Sequence, residues 1–82
     1  MPIRSVVVAE FENVAKEQGK TLALLFDELM LLETGLDSLC FAIIVVRLEE
    51  SLGLDPFQTA ADGQVPVTFG QFVKFYENAA AA

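Results

Sequence analysis

Apolar residues recur near the start of the chain at steps of four, four and three: Ile3, Val7, Phe11 and Val14. That spacing places them on one face of a helix. Glu10, Glu12, Lys16, Glu17 and Gln18 fall mostly on the other faces and read as solvated, and Gly19 supplies a stop signal. The pattern predicts a helix over 3–18. Residues 20–36 follow no single period. Leu22, Leu24, Leu25, Phe26, Leu29, Met30, Leu31 and Leu32 are too apolar for a solvated loop. They fit either a helix on the Leu22, Leu25/Phe26, Leu29 spacing or an irregular connector pinned to the core by its leucines. A connector containing one helical turn is the expectation taken forward. Connectors of this length generally have internal structure or a function.

A second helix is predicted over 37–52. Asp37 or Ser38 serves as N-cap, and Gly53 followed by Asp55-Pro56 ends it. At 100° per residue Phe41, Ile44, Val45, Leu48 and Leu52 form a core stripe, whereas Leu39, Ile43, Val46 and Glu50 cluster opposite. This helix is apolar on two faces where a surface helix needs one. Asp55-Pro56 then starts a short helix over 56–61, before Gly63. Val65-Pro66-Val67 reads as extended. Thr68-x-x-Gln71 is a capping box, with Val67 and Phe72 as its hydrophobic staple. Phe69, Phe72, Val73 and Tyr76 line a final helix, and the alanines at 79–82 read as a frayed tail. The expected fold is all-α: a single domain over 1–82, a small four-helix bundle of three principal helices and one short one.

Composition narrows the function. A hydrophobic fraction of 54% supports a packed core in so short a chain. The longest apolar run, residues 38–46, is about half the length of a membrane span. No basic leader segment with a small-residue cleavage site opens the sequence, so secretion is not expected. A single cysteine rules out an internal disulfide and suits a reducing cytoplasm. Twelve acidic residues against five basic ones give a net charge of −7, which disfavours nucleic acid and favours basic partners. Without histidine, neither a zinc site nor a Ser-His relay has its parts. Catalysis by this chain alone is not expected.

The segment Thr34-Gly35-Leu36-Asp37-Ser38-Leu39-Cys40-Phe41 sets a hydroxyl at the opening of the central helix. Composition and spacing favour an ordinary cap. The functional alternative is a phosphate ester at Ser38, held against the free N–H groups and positive end of the helix. Asp37 would then orient a metal or proton acceptor brought by another protein, since the chain has no base to activate the hydroxyl. Cys40 reads as a semi-buried, inert small hydrophobe.

Leu32-Glu33-Thr34-Gly35-Leu36-Asp37-Ser38-Leu39 resembles the signature of acyl and peptidyl carrier proteins, Gly-x-Asp-Ser-Leu. The resemblance spans nearly the whole chain. It takes in the first helix, the long connector, the central helix ending in Glu49-Glu50, the short third helix, and Thr68-Phe69-Gly70-Gln71-Phe72-Val73 opening the last. It implies that Ser38 receives 4′-phosphopantetheine from coenzyme A through a separate Mg-dependent phosphopantetheinyl transferase, with Asp37 assisting. The arm's thiol would carry acyl or aminoacyl groups as thioesters between a loading ligase or transferase and downstream synthase enzymes. The protein itself would be a monomer.

Fatty-acid-synthesis carriers of that family present acidic residues early in the second helix, near the positions of Cys40 and Ile43. This chain keeps Glu49 and Glu50, adds Arg47, and runs Leu39, Ile43 and Val46 toward Glu50 over about 16 Å. Each such apolar side chain contributes about 1.5–3 kcal/mol if a partner buries it fully. Either a partner docks there, or the connector folds over the stripe and buries it internally. The expected function is therefore a stand-alone carrier for a polyketide, nonribosomal-peptide or modified-acyl pathway. A fatty-acid-synthesis carrier is the second possibility, and an unmodified helical interaction module the alternative from a different class.

Overall fold

The computed structural model describes residues 2–59 and 65–81. Helix α1 spans Ile3–Glu17 and buries Val7, Phe11, Val14 and Ala15. The predicted stripe is thus the packed face. Beyond α1 the N–H of Lys20 returns to the Ala15 carbonyl at 2.8 Å and that of Gly19 to Lys16 at 3.3 Å, so the chain turns where the glycine stands.

Residues 20–36 form the irregular connector, with one short 3₁₀ turn at Leu31–Glu33. Its backbone groups are satisfied partly within the connector, as by Leu29 N–H to the Phe26 carbonyl at 3.0 Å, and partly by the head of the last helix. Leu31 N–H donates to the Val67 carbonyl at 2.9 Å, Phe69 N–H to Leu29 at 2.8 Å and Gly70 N–H to Asp27 at 2.9 Å. Met30 and Thr68 meet there in an isolated antiparallel bridge. Leu29 is buried, and Leu22, Leu25 and Leu31 pack against the core.

Helix α2 spans Ser38–Leu52 and closes at Gly53, whose N–H bonds the Glu49 carbonyl. Its deepest line is Cys40, Ile44 and Leu48; Phe41, Val45 and Leu52 are only partly buried. The buried face is rotated from the predicted stripe toward Cys40, and α2 packs against α1. Cys40 is 1% exposed rather than semi-buried. Helix α3 covers Pro56–Thr59; residues 60 and 61 of the predicted helix, and Gly63, lie outside the described residues.

Helix α4 spans Phe69–Ala81. The capping box forms in both directions: Gln71 N–H donates to Thr68 Oγ1 and Thr68 N–H to Gln71 Oε1, each at 3.2 Å. Gln71 Oε1 also accepts from Val67 N–H at 2.8 Å. The helix continues through Ala81 into the run read from composition as a frayed tail, as alanine's helix propensity favours; Ala82 lies outside the described residues.

The described chain is a small all-α bundle with no strand among the described residues. Phe11 is its centre, meeting the rings of Phe41, Phe69 and Phe72 edge-on at 6.0, 5.2 and 5.4 Å. Among the described residues no helix is long and apolar enough to cross a membrane.

Candidate functional site

The turn into α2 is built by alternating burial. Thr34 is fully buried; its hydroxyl donates to the Leu31 carbonyl at 2.7 Å and accepts from Leu36 N–H at 3.4 Å. Its carbonyl accepts from Ala23 N–H at 2.9 Å, drawing the two ends of the connector together. Gly35 follows at φ +93°, and a Cβ there would lie 2.3 Å from the Thr21 carbonyl oxygen. The glycine of the motif is therefore required twice, by its backbone angle and by the stretch of connector beside it. Leu36 goes inward, 6% exposed, and anchors the turn in the core.

Asp37 is then extended, at φ −100° and ψ −179°, and is the N-cap. Its Oδ1 accepts from Cys40 N–H at 2.9 Å, and its carbonyl accepts from Phe41 N–H at 3.1 Å. Its Oδ2 faces the Lys20 ammonium at 3.3 Å. The Cys40 N–H bond, then Lys20, holds the carboxyl at about 2, well below its ordinary value. Ser38 is the first residue of the helix proper, and its side chain is exposed. Among the described residues its hydroxyl makes no hydrogen bond. Two residues could have capped this helix, and the structure uses the carboxylate, leaving the hydroxyl in solvent.

The proposed docking residues lie along the outer side of α2. Leu39 and Val46 are 60% and 56% exposed, Ile43 is half-buried, and Glu49 and Glu50 are exposed. The connector does not cover them; its own Leu24 and Leu32 face water. A shallow groove runs between Ile43, Val46, Arg47 and Glu50. Arg47 is held from the other side. It hydrogen-bonds Glu17 and pairs with Glu10 at 3.6 Å, tying α2 to α1 and lowering the Glu17 pKa through that bond. Glu10, read as solvated, is thereby half-buried against Arg47; the long-range pairing gave no signal along the sequence.

One feature near Ser38 has no motif. A cavity of about 570 Å³ opens between α2, α3 and the segment before α4, with Phe41, Val45, Phe57 and Phe72 inside it. Leu32, Val65 and Val67 form its rim. Only the partial burial of Phe41 and Val45, placed by the pattern in the core, hints at it. Among the described residues no cluster of carboxylates and thiols is arranged to hold a metal ion. Comparison of the chain with protein-family models, with curated proteins and with solved structures finds no match. Function therefore rests on this geometry and on the motif.

Proposed function

We propose that the chain is a carrier protein, holding acyl or aminoacyl intermediates as thioesters on a 4′-phosphopantetheine arm attached to Ser38. It would serve as a stand-alone carrier in a specialised polyketide, nonribosomal-peptide or modified-acyl pathway. The observation that carries the reading is the division of labour between Asp37 and Ser38. Capping is done by the carboxylate, so the exposed hydroxyl of Ser38 has no structural duty among the described residues and is available to an incoming enzyme.

The residues present fit the group. A phosphodiester on Ser38 would stand at the N-terminus of a fifteen-residue helix, facing its free N–H groups and positive end. In the attachment, Ser38 Oγ bonds to the phosphorus nearest the pantetheine in coenzyme A. The bond from that phosphorus to the nucleotide diphosphate bridge breaks, and 3′,5′-adenosine bisphosphate leaves. The hydroxyl proton goes to a base on the transferase, since this chain has no histidine. Asp37 stays ionised at neutral pH and its Oδ2 is reachable once Lys20 swings away, so it can steer the transferase's Mg²⁺ toward the hydroxyl. When bound, the arm supplies a thiol that forms thioesters. Leu39, Ile43 and Val46, with Glu49 and Glu50 beyond them, then form the face read by the transferase and the loading enzymes, while Arg47 is restrained by α1.

Mass spectrometry tests this directly. Incubated with coenzyme A, Mg²⁺ and a broad-specificity phosphopantetheinyl transferase, the wild-type chain gains one phosphopantetheine and Ser38→Ala gains none. A wild-type chain that stays unmodified overturns the reading.

A further inference from the structure

We propose that Lys20 is the counter-charge of the modified state, its ammonium bridging the Asp37 carboxylate and the phosphodiester on Ser38 and so tying the connector to the head of α2. The proposal rests on the carrier reading above, which puts that phosphodiester in place. At the end of α1 the Lys20 N–H is fixed to the Ala15 carbonyl at 2.8 Å. The Thr21 carbonyl oxygen then closes against Gly35, and Ala23 N–H donates to the Thr34 carbonyl at 2.9 Å. Residues 20–23 therefore run beside the turn into α2. The Lys20 ammonium stands 3.3 Å from Asp37 Oδ2, one residue before the Ser38 hydroxyl. Consecutive Cα atoms lie about 3.8 Å apart, a step that the flexible four-carbon stem of lysine can cover.

Charge favours the bridge. The chain has a net charge of −7, and the phosphodiester adds a further negative charge directly beside a carboxylate. Asp37 cannot turn away from it, because Cys40 N–H holds its Oδ1 at 2.9 Å. The head of α2 also offers a phosphate less than a bare helix end would, since the Cys40 and Phe41 N–H groups are already bonded to Asp37. A nearby cation supplies what those donors cannot. All five lysine and arginine side chains lie among the described residues. Arg4 pairs with Asp27, and Arg47 with Glu10 and Glu17. Lys74 lines the cleft at the head of α4 beside Asp27 and Glu28, and Lys16 lines the cleft between α1 and the connector. Of the five, Lys20 is the one paired with the motif carboxylate. An ammonium presents several donors and no fixed plane, so it can serve two acceptors at once. The Lys20 and Asp37 side chains are 38% and 52% exposed, so the pair opens to an incoming enzyme and closes afterwards on two anions instead of one.

The test compares amide hydrogen exchange in wild type and Lys20→Met, each with Ser38 free or carrying phosphopantetheine. Joining synthetic 1–39 and 40–82 by native chemical ligation at Cys40 installs the group without a transferase. Ala23 N–H, bonded to Thr34, reports the near end of the connector, and Leu31 N–H, bonded to Val67, reports the far end. In the wild type, modification slows exchange at Ala23 by about threefold, the effect of one exposed ion pair gained, and leaves Leu31 unchanged. Salt at about 1 M, where the Debye length is about 3 Å, removes the slowing, and Lys20→Met lacks it at low salt. The salt comparison uses the wild type alone, so it decides even if the variant unfolds. Absence of slowing at Ala23, equal slowing at Leu31, slowing that survives the salt, or slowing retained in Lys20→Met each overturns the inference. The carrier reading is then untouched, because the mass of the transferase-treated chain judges it separately. A chain that gives the Ala23 response but that the transferase leaves unmodified overturns the carrier reading, and with it the role of Lys20 in a natural modified state.

Discussion

At the N-terminus of α2 two adjacent residues, Asp37 and Ser38, are equally good caps by type, and the backbone gives the position to Asp37. Alanine at the two sites should therefore separate structure from function. Asp37→Ala lowers the thermal midpoint by about 4–8 °C, whereas Ser38→Ala leaves it within about 2 °C and loses only the proposed modification. The acid dependence follows from the depressed carboxyl of Asp37. Its contribution is present above the ordinary value of 3.8 and is lost as pH falls through about 2. The gap between the two variants, read by circular dichroism melts, closes over that window. Equal melting of the two variants near neutral pH would show that the hydroxyl is a cap after all. Gly35 is explained at the same scale, since its φ of +93° and the Thr21 carbonyl oxygen, 2.3 Å from where a Cβ would stand, leave no room for a side chain.

Among elements, the connector shows what a sequence period can and cannot tell. Its leucines fit a helix about as well as a pinned loop, because a short apolar run has no unique period. What excludes the helix is distant: Leu31, Phe69 and Gly70 exchange backbone hydrogen bonds between the connector and the head of α4. Gly70 is the tightest point. A Cβ there would sit 2.8 Å from Asp27 Cβ and 3.0 Å from the Asp27 carbonyl oxygen. Alanine ordinarily stabilises a helix by about 1 kcal/mol over glycine. Here Gly70→Ala should instead destabilise the fold by about 1–3 kcal/mol in urea unfolding, because the overpacked contact also strains the bond to Asp27. A gain in stability would mean that the connector yields without cost and does not brace α4. Arg47 belongs to this scale too, since its pairing with Glu10 and Glu17 joins two helices that lie far apart in sequence.

For the molecule as a whole, the bundle holds one tyrosine, Tyr76, fully buried among Phe57 and Phe72. Its hydroxyl and Asp55 Oδ1 are buried without hydrogen-bond partners among the described residues. Burial first, then the charges of Asp55 and Glu49, raises its pKa far above the ordinary 10.0. The fold favours the protonated phenol, so this contribution is complete below pH 10 and is lost as pH rises beyond it. Phenolate absorbance should therefore appear only together with loss of helical signal, in one cooperative alkaline transition. A phenolate forming near its ordinary pKa in a still helical chain would show that the hydroxyl reaches water, and with it that α3 does not seal this end of the core.

Local chemistry alone determined the all-α class, the faces of α1 and α4, the capping box at Thr68, and the motif that singles out Ser38. Each depends on neighbours within about one helical turn, which a sequence displays directly. Tertiary structure decided the rest: the path of the connector, the cap given to Asp37, the restraint on Arg47, and the bare apolar stripe of α2. It alone formed the cavity one turn from Ser38, because an empty space is bounded by residues from separate segments of the chain and no one of them encodes it. Ser38 was legible as a candidate residue from its motif; the apolar cavity lined by Phe41 and Ala42, three and four residues further on, was not.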